Sequence, residues 1–159
     1  MIGFKIREVM SGYHRFDALW VDGFGIGPYF MEFDITWGPT DIETWINPFN
    51  KNFMKQPLFG HITIDGLCRC CPCDGTLTLA YHRGEICYEI DFILKGQLYT
   101  YVGKKTNIRP WNLPISHTTC NGTTVLRSSW VDRLVSNSTL FFNFSTLPDF
   151  LKSFRFTNG

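Results

Sequence analysis

The stretch that decides the fold is EICYEIDFILKG, residues 85–96. Apolar side chains occupy every second position of this stretch, a pattern typical of a β-strand with one buried face. The apolar face carries Ile86, Tyr88, Ile90, Phe92 and Leu94. Lys95-Gly96 then forms a tight turn, and the alternation resumes in QLYTYVG, residues 97–103. The pattern therefore predicts an antiparallel β-hairpin over 85–103.

The same alternation recurs along most of the chain. Helical patterns are confined to 40–47, where Asp41 belongs to the cap, and to 147–156, which carries Pro148 in its first turn. The long crossover connections that parallel strands need are not evident in the sequence. Further strands are expected at 4–16, 28–37, 61–67, 75–82, 118–126 and 138–146. We therefore expect an all-β fold, an antiparallel up-and-down β-barrel with one or two short helices, forming a single domain over residues 1–159; a two-sheet sandwich is the alternative.

Composition and charge argue against several classes of partner. The net charge is +1 and the chain has no run of Lys or Arg, so we expect no nucleic-acid partner. No apolar run approaches the roughly 18–20 residues of a membrane span. The first sixteen residues, MIGFKIREVMSGYHRF, lack the apolar core of a signal peptide. These features predict a cytoplasmic protein whose thiols are reduced.

Aromatic residues make up 16% of the chain, more than a single small core needs. An eight-stranded barrel is either just filled by its own side chains or able to hold one small ligand. The first functional hypothesis is therefore a lipocalin-like, calycin-type barrel that binds an apolar small molecule, such as a lipid, a sterol or a fatty-acyl compound. No cofactor is expected, because the chain has no phosphate loop or dinucleotide fingerprint.

The segment NIRPWNLPISHTTC, residues 107–120, is an unusual connection between two strands. Pro110 and Pro114 stiffen it, and Trp111 favours burial against the end of the barrel. We expect the segment to close that end, either as a structural plug or as a ligand-closing segment with Arg109 and His117 as polar contacts. The expected ligand-binding residues are Arg109, Trp111, His117, Tyr88 and Tyr99.

Two other functions remain open. In the first, the barrel is a cofactor-independent enzyme, an isomerase or cyclase, in which His117 is the candidate catalytic base and Arg109 stabilises negative charge. The alternative for His117 is that its ring nitrogens only satisfy backbone groups. In the second, the aromatic residues of 40–47 and of FLKSFRF, residues 150–156, form a homodimer or dock onto a partner enzyme.

The motif CRCCPC, residues 68–73, places four thiols within six residues. A structural zinc site normally takes its ligands from two separated turns, whereas these cysteines share one strand-to-strand connection. If the segment is extended, alternation directs Cys68 and Cys70 away from Cys71. We expect no metal site; a redox-sensing role and simple packing of reduced thiols both remain open.

Several segments resemble a small β-barrel family that also occurs attached to glucose–methanol–choline-type flavin oxidoreductases similar to cholesterol oxidase. The resemblance covers about residues 10–156, and residues 101–120 are its most specific part. It implies sterol, fatty-acyl or other lipid-like chemistry and a partner oxidoreductase, and it carries no catalytic residues over to this chain. The similar segments are GYHRF (12–16), MEFDITWG (31–38), GHITIDGL (60–67), CDGTLTLAY (73–81) and YVGKKTNIRPWNLPISHTTC (101–120).

Overall fold

A computed structural model describes residues 1–21, 25–108, 119–143 and 146–158. Within these ranges the chain forms nine strands and two short helices. The strands are β1 (Ile2–Phe16), β2 (Tyr29–Trp37), β3 (Lys55–Ile64), β4 (Cys68–Ala80), β5 (Glu85–Leu94), β6 (Gln97–Lys105), β7 (Thr119–Leu126), β8 (Arg133–Phe142) and β9 (Arg155–Asn158). The helices are α1 (Ile42–Trp45) and α2 (Leu147–Lys152), and a 3-10 turn (Tyr81–Arg83) joins β4 to β5.

The first eight strands close into a barrel. Each of β1–β7 pairs antiparallel with the strand that follows it, and β8 returns to pair with β1. β1 is long because it serves three neighbours: residues 6–14 pair with β2, residues 10–16 with β8, and residues 2–5 with β9. The expected antiparallel up-and-down barrel is therefore confirmed, and β9 is an added strand that the sequence pattern did not predict.

Because consecutive strands are antiparallel, the connections between them alternate between the two ends of the barrel. The β2–β3 connection, which contains α1, lies at the same end as the β4–β5 turn and the start of β1. We call this the α1 end. The residues that flank the β6–β7 connection, Ile108 and Thr119, also belong to it, and the Ile108 amide donates to the Gly84 carbonyl at 3.0 Å. The β1–β2, β3–β4, β5–β6 and β7–β8 connections begin and end at the opposite end, which we call the distal end.

Three aromatic rings fill the middle of the barrel. Phe33 packs against Tyr88 and Tyr101, with ring centroids 5.2 and 6.0 Å apart. The Tyr101 ring lies flat against the backbone of β6 and β7, where Gly103 and Gly122 leave room for it. A Cβ atom at Gly122 would come within 2.5 Å of the Tyr101 ring, so both positions favour glycine through close approach.

The interior is apolar on one side and partly polar on the other. Strands β2–β5 contribute buried aliphatic and aromatic side chains, including Met31, Phe33, Ile62, Leu77 and Ile90. Among the described residues, all buried polar or charged side chains except Gln56 lie on β1, β6, β7 and β8. Glu8, His14, Lys105, Thr124, Ser136 and Ser138 are the interior ones, whereas Thr100 is buried on the outer face, where its hydroxyl donates to Asp91 at 2.6 Å. Burying a polar group is costly unless it is paired, so the hydrogen-bond partners of these side chains matter for stability.

Both predicted helices are present, although they are shorter than expected. Asp41 caps α1: its carboxylate accepts from the Glu43 amide at 3.3 Å and from the Thr44 hydroxyl at 2.6 Å. α2 begins at Leu147 with Pro148 in its first turn and ends at Lys152, because the chain then extends into β9. In the described part of the chain, neither helix has the length and hydrophobicity that would carry it across a bilayer.

Strand β3 begins six residues earlier than the alternation predicted. Residues 55–60 contain Pro57 and a glycine, which usually argue against a strand. The last residue pair between β2 and β3 is Trp37 with Leu58, so Pro57 lies beyond the end of β2 and is paired only with β4. A proline is tolerated at such a half-paired position because no hydrogen bond to β2 is lost.

The cysteine motif lies inside β4 rather than in a connection, and its predicted orientation is wrong. A β-bulge separates the pairs Ile62–Cys71 and Ile64–Cys68. Cys70 takes a positive φ of 50° there, and its amide donates to the Thr63 hydroxyl at 2.9 Å. The extra residue shifts the alternation, so that Cys68 and Cys73 are buried while Cys70 is exposed.

Candidate functional site

Three polar side chains, from β1, β5 and β6, meet across the lumen of the barrel. The Tyr88 hydroxyl on β5 donates to Glu8 Oε1 on β1 at 2.5 Å, and these two strands lie on opposite sides of the barrel. Lys105 Nζ on β6 lies 3.5 Å from Glu8 Oε2 and 5.3 Å from the centre of the Tyr88 ring. The side chains of Lys105 and Glu8 are only 3% and 7% exposed. We call Glu8, Tyr88 and Lys105 the polar bridge.

The protonation of Tyr88 follows from its burial. Desolvation, reinforced by the charge of Glu8, raises the pKa of Tyr88 well above its usual value. The phenol therefore stays protonated and acts as a hydrogen-bond donor to the carboxylate. A buried ion pair costs desolvation energy that hydrophobic residues would avoid, so stability alone does not account for the bridge.

A second polar contact lies beside the bridge. The Tyr101 hydroxyl and the Cys120 thiol are 3.4 Å apart, and both side chains are fully buried. Desolvation raises the pKa of Cys120 to about 11, although its hydrogen bond with Tyr101 works in the opposite direction. Cys120 is thus a neutral thiol that packs against Tyr101.

Two buried donors at the α1 end have no hydrogen-bond partner among the described residues. Trp45 Nε1 donates to Gln56 Oε1 at 2.7 Å. Because an indole N–H can only donate, this contact fixes the orientation of the Gln56 amide and leaves its Nε2 without a partner. The indole Nε1 of Trp37 is also buried without a partner. A buried donor without an acceptor costs about 1–3 kcal/mol, and native proteins rarely leave one.

An open groove reaches Trp45 and Gln56 from the surface. It lies beside α1, has a volume of about 890 Å³, and includes Trp45, Gln56 and Tyr88 in its lining. That volume is within the usual range for small-molecule sites. A second groove, of about 810 Å³, lies on the outer face of β1 and β6–β8 and includes Tyr13, Lys104 and Asn137. The first groove has Gln56 and Tyr88 in its lining, and the second has Ser138.

The predicted site residues have different outcomes. Tyr88 belongs to the polar bridge. Tyr99 lies towards the distal end, stacked on Phe92 with 5.4 Å between the ring centroids, so the two tyrosines do not share a site. In the strand register they are separated by four residues, or about 13 Å. Arg109, Trp111 and His117 lie outside the described residues, so their roles in binding, and that of His117 as a base, stay predictions.

Sequence reasoning missed Glu8, Lys105, Gln56 and Trp37 as functional candidates. A signal was present for the first two: Glu8 is in phase with the inward-facing Met10, and Lys105 is in phase with Tyr101. One acid and one base at inward-facing positions of a barrel predict a buried pair. Gln56 gave no such signal, because it lies in the part of β3 that the pattern did not identify as a strand.

His14 is a buried titratable group outside the bridge. Its Nε2 lies 2.8 Å from the Asp65 carbonyl, its Nδ1 has no partner among the described residues, and its ring packs edge-on against Phe16. Burial lowers the pKa of His14, although the Asp65 carbonyl works in the opposite direction. The neutral imidazole with a proton on Nε2 is therefore the folded form.

This lowered pKa predicts a pH-dependent stability. The unfolded chain takes up a proton on His14 below about pH 6.5, before the folded chain does. Stability from neutral His14 is fully present above that pH and declines as the pH falls, by at most ~1.4 kcal/mol per pH unit. Urea unfolding of the wild type at about pH 7.5 and 5.5 measures this loss. His14→Gln is expected to show a smaller loss, and equal losses would contradict the assignment.

The cysteines form no metal centre in the described structure. Among residues 1–21, 25–108, 119–143 and 146–158, no three His, Cys, Asp or Glu side chains are placed to hold a metal ion. The Cys68 and Cys71 thiols interact with one another, and burial raises the pKa of Cys68. Burial likewise raises the pKa of Cys73 to about 12.

These pKa values and the burial of the thiols predict a strict order of alkylation. In the native protein at about pH 8, iodoacetamide should label exposed Cys70 first, because the thiolate is the reactive form and needs access. Cys73 and Cys120 should be labelled only after denaturation. A time course of peptide mass spectrometry measures the order. Labelling of Cys73 or Cys120 at the rate of Cys70 would contradict the described burial.

Comparison of the chain with protein-family models, with curated proteins and with solved structures finds no match. The resemblance to the domain attached to flavin oxidoreductases therefore gains no support from these comparisons. The small antiparallel barrel that it implies is present in the structure. The partner oxidoreductase and the lipid-like chemistry stay predictions.

Proposed function

We propose that the protein binds a small, largely apolar molecule, of the lipid, sterol or fatty-acyl kind, at the α1 end of the barrel. The observation that supports this most is the pair of buried donors, Gln56 Nε2 and Trp37 Nε1, which have no acceptor among the described residues. A ligand oxygen that accepts from either donor would recover the free energy that the burial of that donor costs. The polar group of the ligand is accordingly a carbonyl or carboxylate.

The surroundings favour an apolar body attached to that oxygen. The groove beside α1 offers the indole face of Trp45, and buried Leu79, Ile86 and Ile108 line the same end of the barrel. The rings of Phe33, Tyr88 and Tyr101 occupy the middle, so the ligand lies at the end rather than through the whole lumen. An apolar site with a few placed polar groups is typical of small-molecule binding.

A second candidate function is cofactor-independent acid–base catalysis on such a ligand. The observation that favours it is the short contact between the Tyr88 hydroxyl and Glu8, beside a lysine, in a desolvated place. An isomerase or cyclase would exchange a ligand proton with solvent. Incubating the protein in D₂O with a bound ketone ligand separates the two functions. Deuterium uptake by the ligand that Tyr88→Phe abolishes supports catalysis. If the ligand takes up no deuterium, only the binding function is supported.

The binding proposal is tested with three matched probes: palmitic acid, methyl palmitate and hexadecane. We expect the acid and the ester to bind saturably, measured by isothermal titration, and hexadecane to bind at least tenfold more weakly because it has no acceptor. Gln56→Leu and Trp37→Phe each remove one donor and should weaken binding of the acid about fivefold. Trp130→Phe, at the distal end, is the matched control and should leave the affinity unchanged.

Two results would overturn the proposal. One is that none of the three probes binds saturably to the folded wild-type protein. The other is that Gln56→Leu and Trp37→Phe bind palmitic acid as tightly as the Trp130→Phe control does, because a ligand elsewhere in the barrel would not depend on these donors.

A further inference from the structure

The distal end carries a row of exposed apolar side chains. Trp130, Leu19 and Val131 are 93%, 85% and 75% exposed, and Ile93 and Leu98 continue the row on the β5–β6 hairpin. We call these five residues the distal row. They come from the β1–β2 connection, the β7–β8 connection and the distal ends of β5 and β6, so it is the fold, and not one apolar stretch of sequence, that places them all at this end.

Specific contacts hold the three connections together. The Arg127 amide donates to the Leu98 carbonyl at 2.9 Å, which joins the β7–β8 connection to the β5–β6 hairpin. Arg133 donates to the Leu19 carbonyl at 2.7 Å, and its guanidinium lies 4.6 Å from the centre of the Trp20 ring. The exposed side chains of the distal row are therefore carried by segments that are hydrogen-bonded to one another.

Three cations, Lys95, Arg127 and Arg133, lie beside the row together with two carboxylates, Asp17 and Asp132. Asp132 is paired with Arg127 at 2.6 Å, and Asp17 accepts from the Leu19 amide at 3.1 Å. Lys95, in the β5–β6 turn, and Arg133 form no ion pair within the described residues. Lys95 and Arg133, beside protruding apolar side chains, complement a surface with a negatively charged outer layer and an apolar layer below it.

We infer that the distal end docks on the surface of an anionic lipid bilayer. A protein partner would need a concave surface matched to these protruding side chains, whereas the interfacial layer of a bilayer deforms around them. Trp favours that layer because its ring is apolar and its N–H is polar. Lys95 and Arg133 add attraction to anionic headgroups. The docking is independent of the ligand proposed above.

The test is flotation of the full chain with vesicles of phosphatidylcholine alone and of phosphatidylcholine with phosphatidylglycerol. We expect binding to the anionic vesicles, and at least a tenfold loss when Leu19, Trp130 and Val131 are all replaced by Ser. Lys95→Gln should weaken binding about fivefold, and added salt should do the same. Phe49→Ser is the matched control, because Phe49 is 96% exposed at the α1 end.

Three outcomes would overturn the inference: no binding to anionic vesicles, equal binding by the triple variant and wild type, or equal loss in Phe49→Ser. Sedimentation velocity in the absence of lipid adds a fourth. A dimer that the triple substitution converts to a monomer would assign the distal row to a second copy of the chain instead.

Discussion

Lys105→Met is expected to destabilise the protein by about 3–5 kcal/mol. The substitution keeps the length and the apolar stem of the side chain but removes the ammonium group that faces Glu8 in the polar bridge. Glu8 is then a buried acid with only the Tyr88 hydroxyl beside it, and removing one partner of a buried ion pair is costly. The free energy of unfolding, measured in urea by circular dichroism, gives the loss.

Two further variants identify its cause. Adding Glu8→Gln to Lys105→Met removes the uncompensated charge and should restore stability to within about 1–2 kcal/mol of the wild type. Arg7→Met is the matched control: Arg7 precedes Glu8 on β1 and pairs with Asp34 at 2.5 Å on the outer face, with its side chain 60% exposed. Such a pair contributes less than about 1 kcal/mol. Equal losses from Lys105→Met and Arg7→Met would contradict the buried bridge.

Phe33→Ala is the second substitution with a large expected effect, a loss of about 3–5 kcal/mol. Phe33 is fully buried and contacts both Tyr88 and Tyr101 in the middle of the barrel. Removing the ring leaves a cavity that these two tyrosines cannot fill without breaking their own hydrogen bonds. Thermal and urea unfolding both measure the loss.

The control for Phe33→Ala lies three residues earlier on the same strand. Phe30 points to the outer face and is 46% exposed, so Phe30→Ala should cost less than about 1 kcal/mol. If the two variants unfold at the same urea concentration, the assignment of inner and outer faces on β2 is wrong.

The fold was predictable because nearly every strand has one buried face. In β5 the inward positions Ile86, Tyr88, Ile90 and Phe92 are those that the alternation identified, and all four are buried. The pattern failed where backbone geometry intervenes. Pro57 argued against a strand where β3 begins. The bulge at Cys70 changed the orientation of the cysteines, and no glycine in the motif indicated that a residue there has a positive φ.

The candidate site was much less predictable than the fold. Alternation indicates which face a side chain occupies, but it does not tell which residues meet across the lumen. Glu8 and Lys105 are 97 positions apart in the chain and meet only because β8 closes onto β1. The partnerless donor of Gln56 depends on a contact with Trp45, which lies in a helix outside the barrel wall. Such pairings follow from tertiary structure alone.

The ligand proposal is tested most directly by the indole N–H of Trp37. In a two-dimensional ¹H–¹⁵N spectrum, with the signal assigned through Trp37→Phe, addition of palmitic acid should move this proton downfield as it gains an acceptor. The side-chain amide signals of Gln56 should move with the same saturation curve, and hexadecane should move neither. If palmitic acid saturates other signals while those of Trp37 and Gln56 stay fixed, or if it shifts none at all, the α1 end is not the binding site.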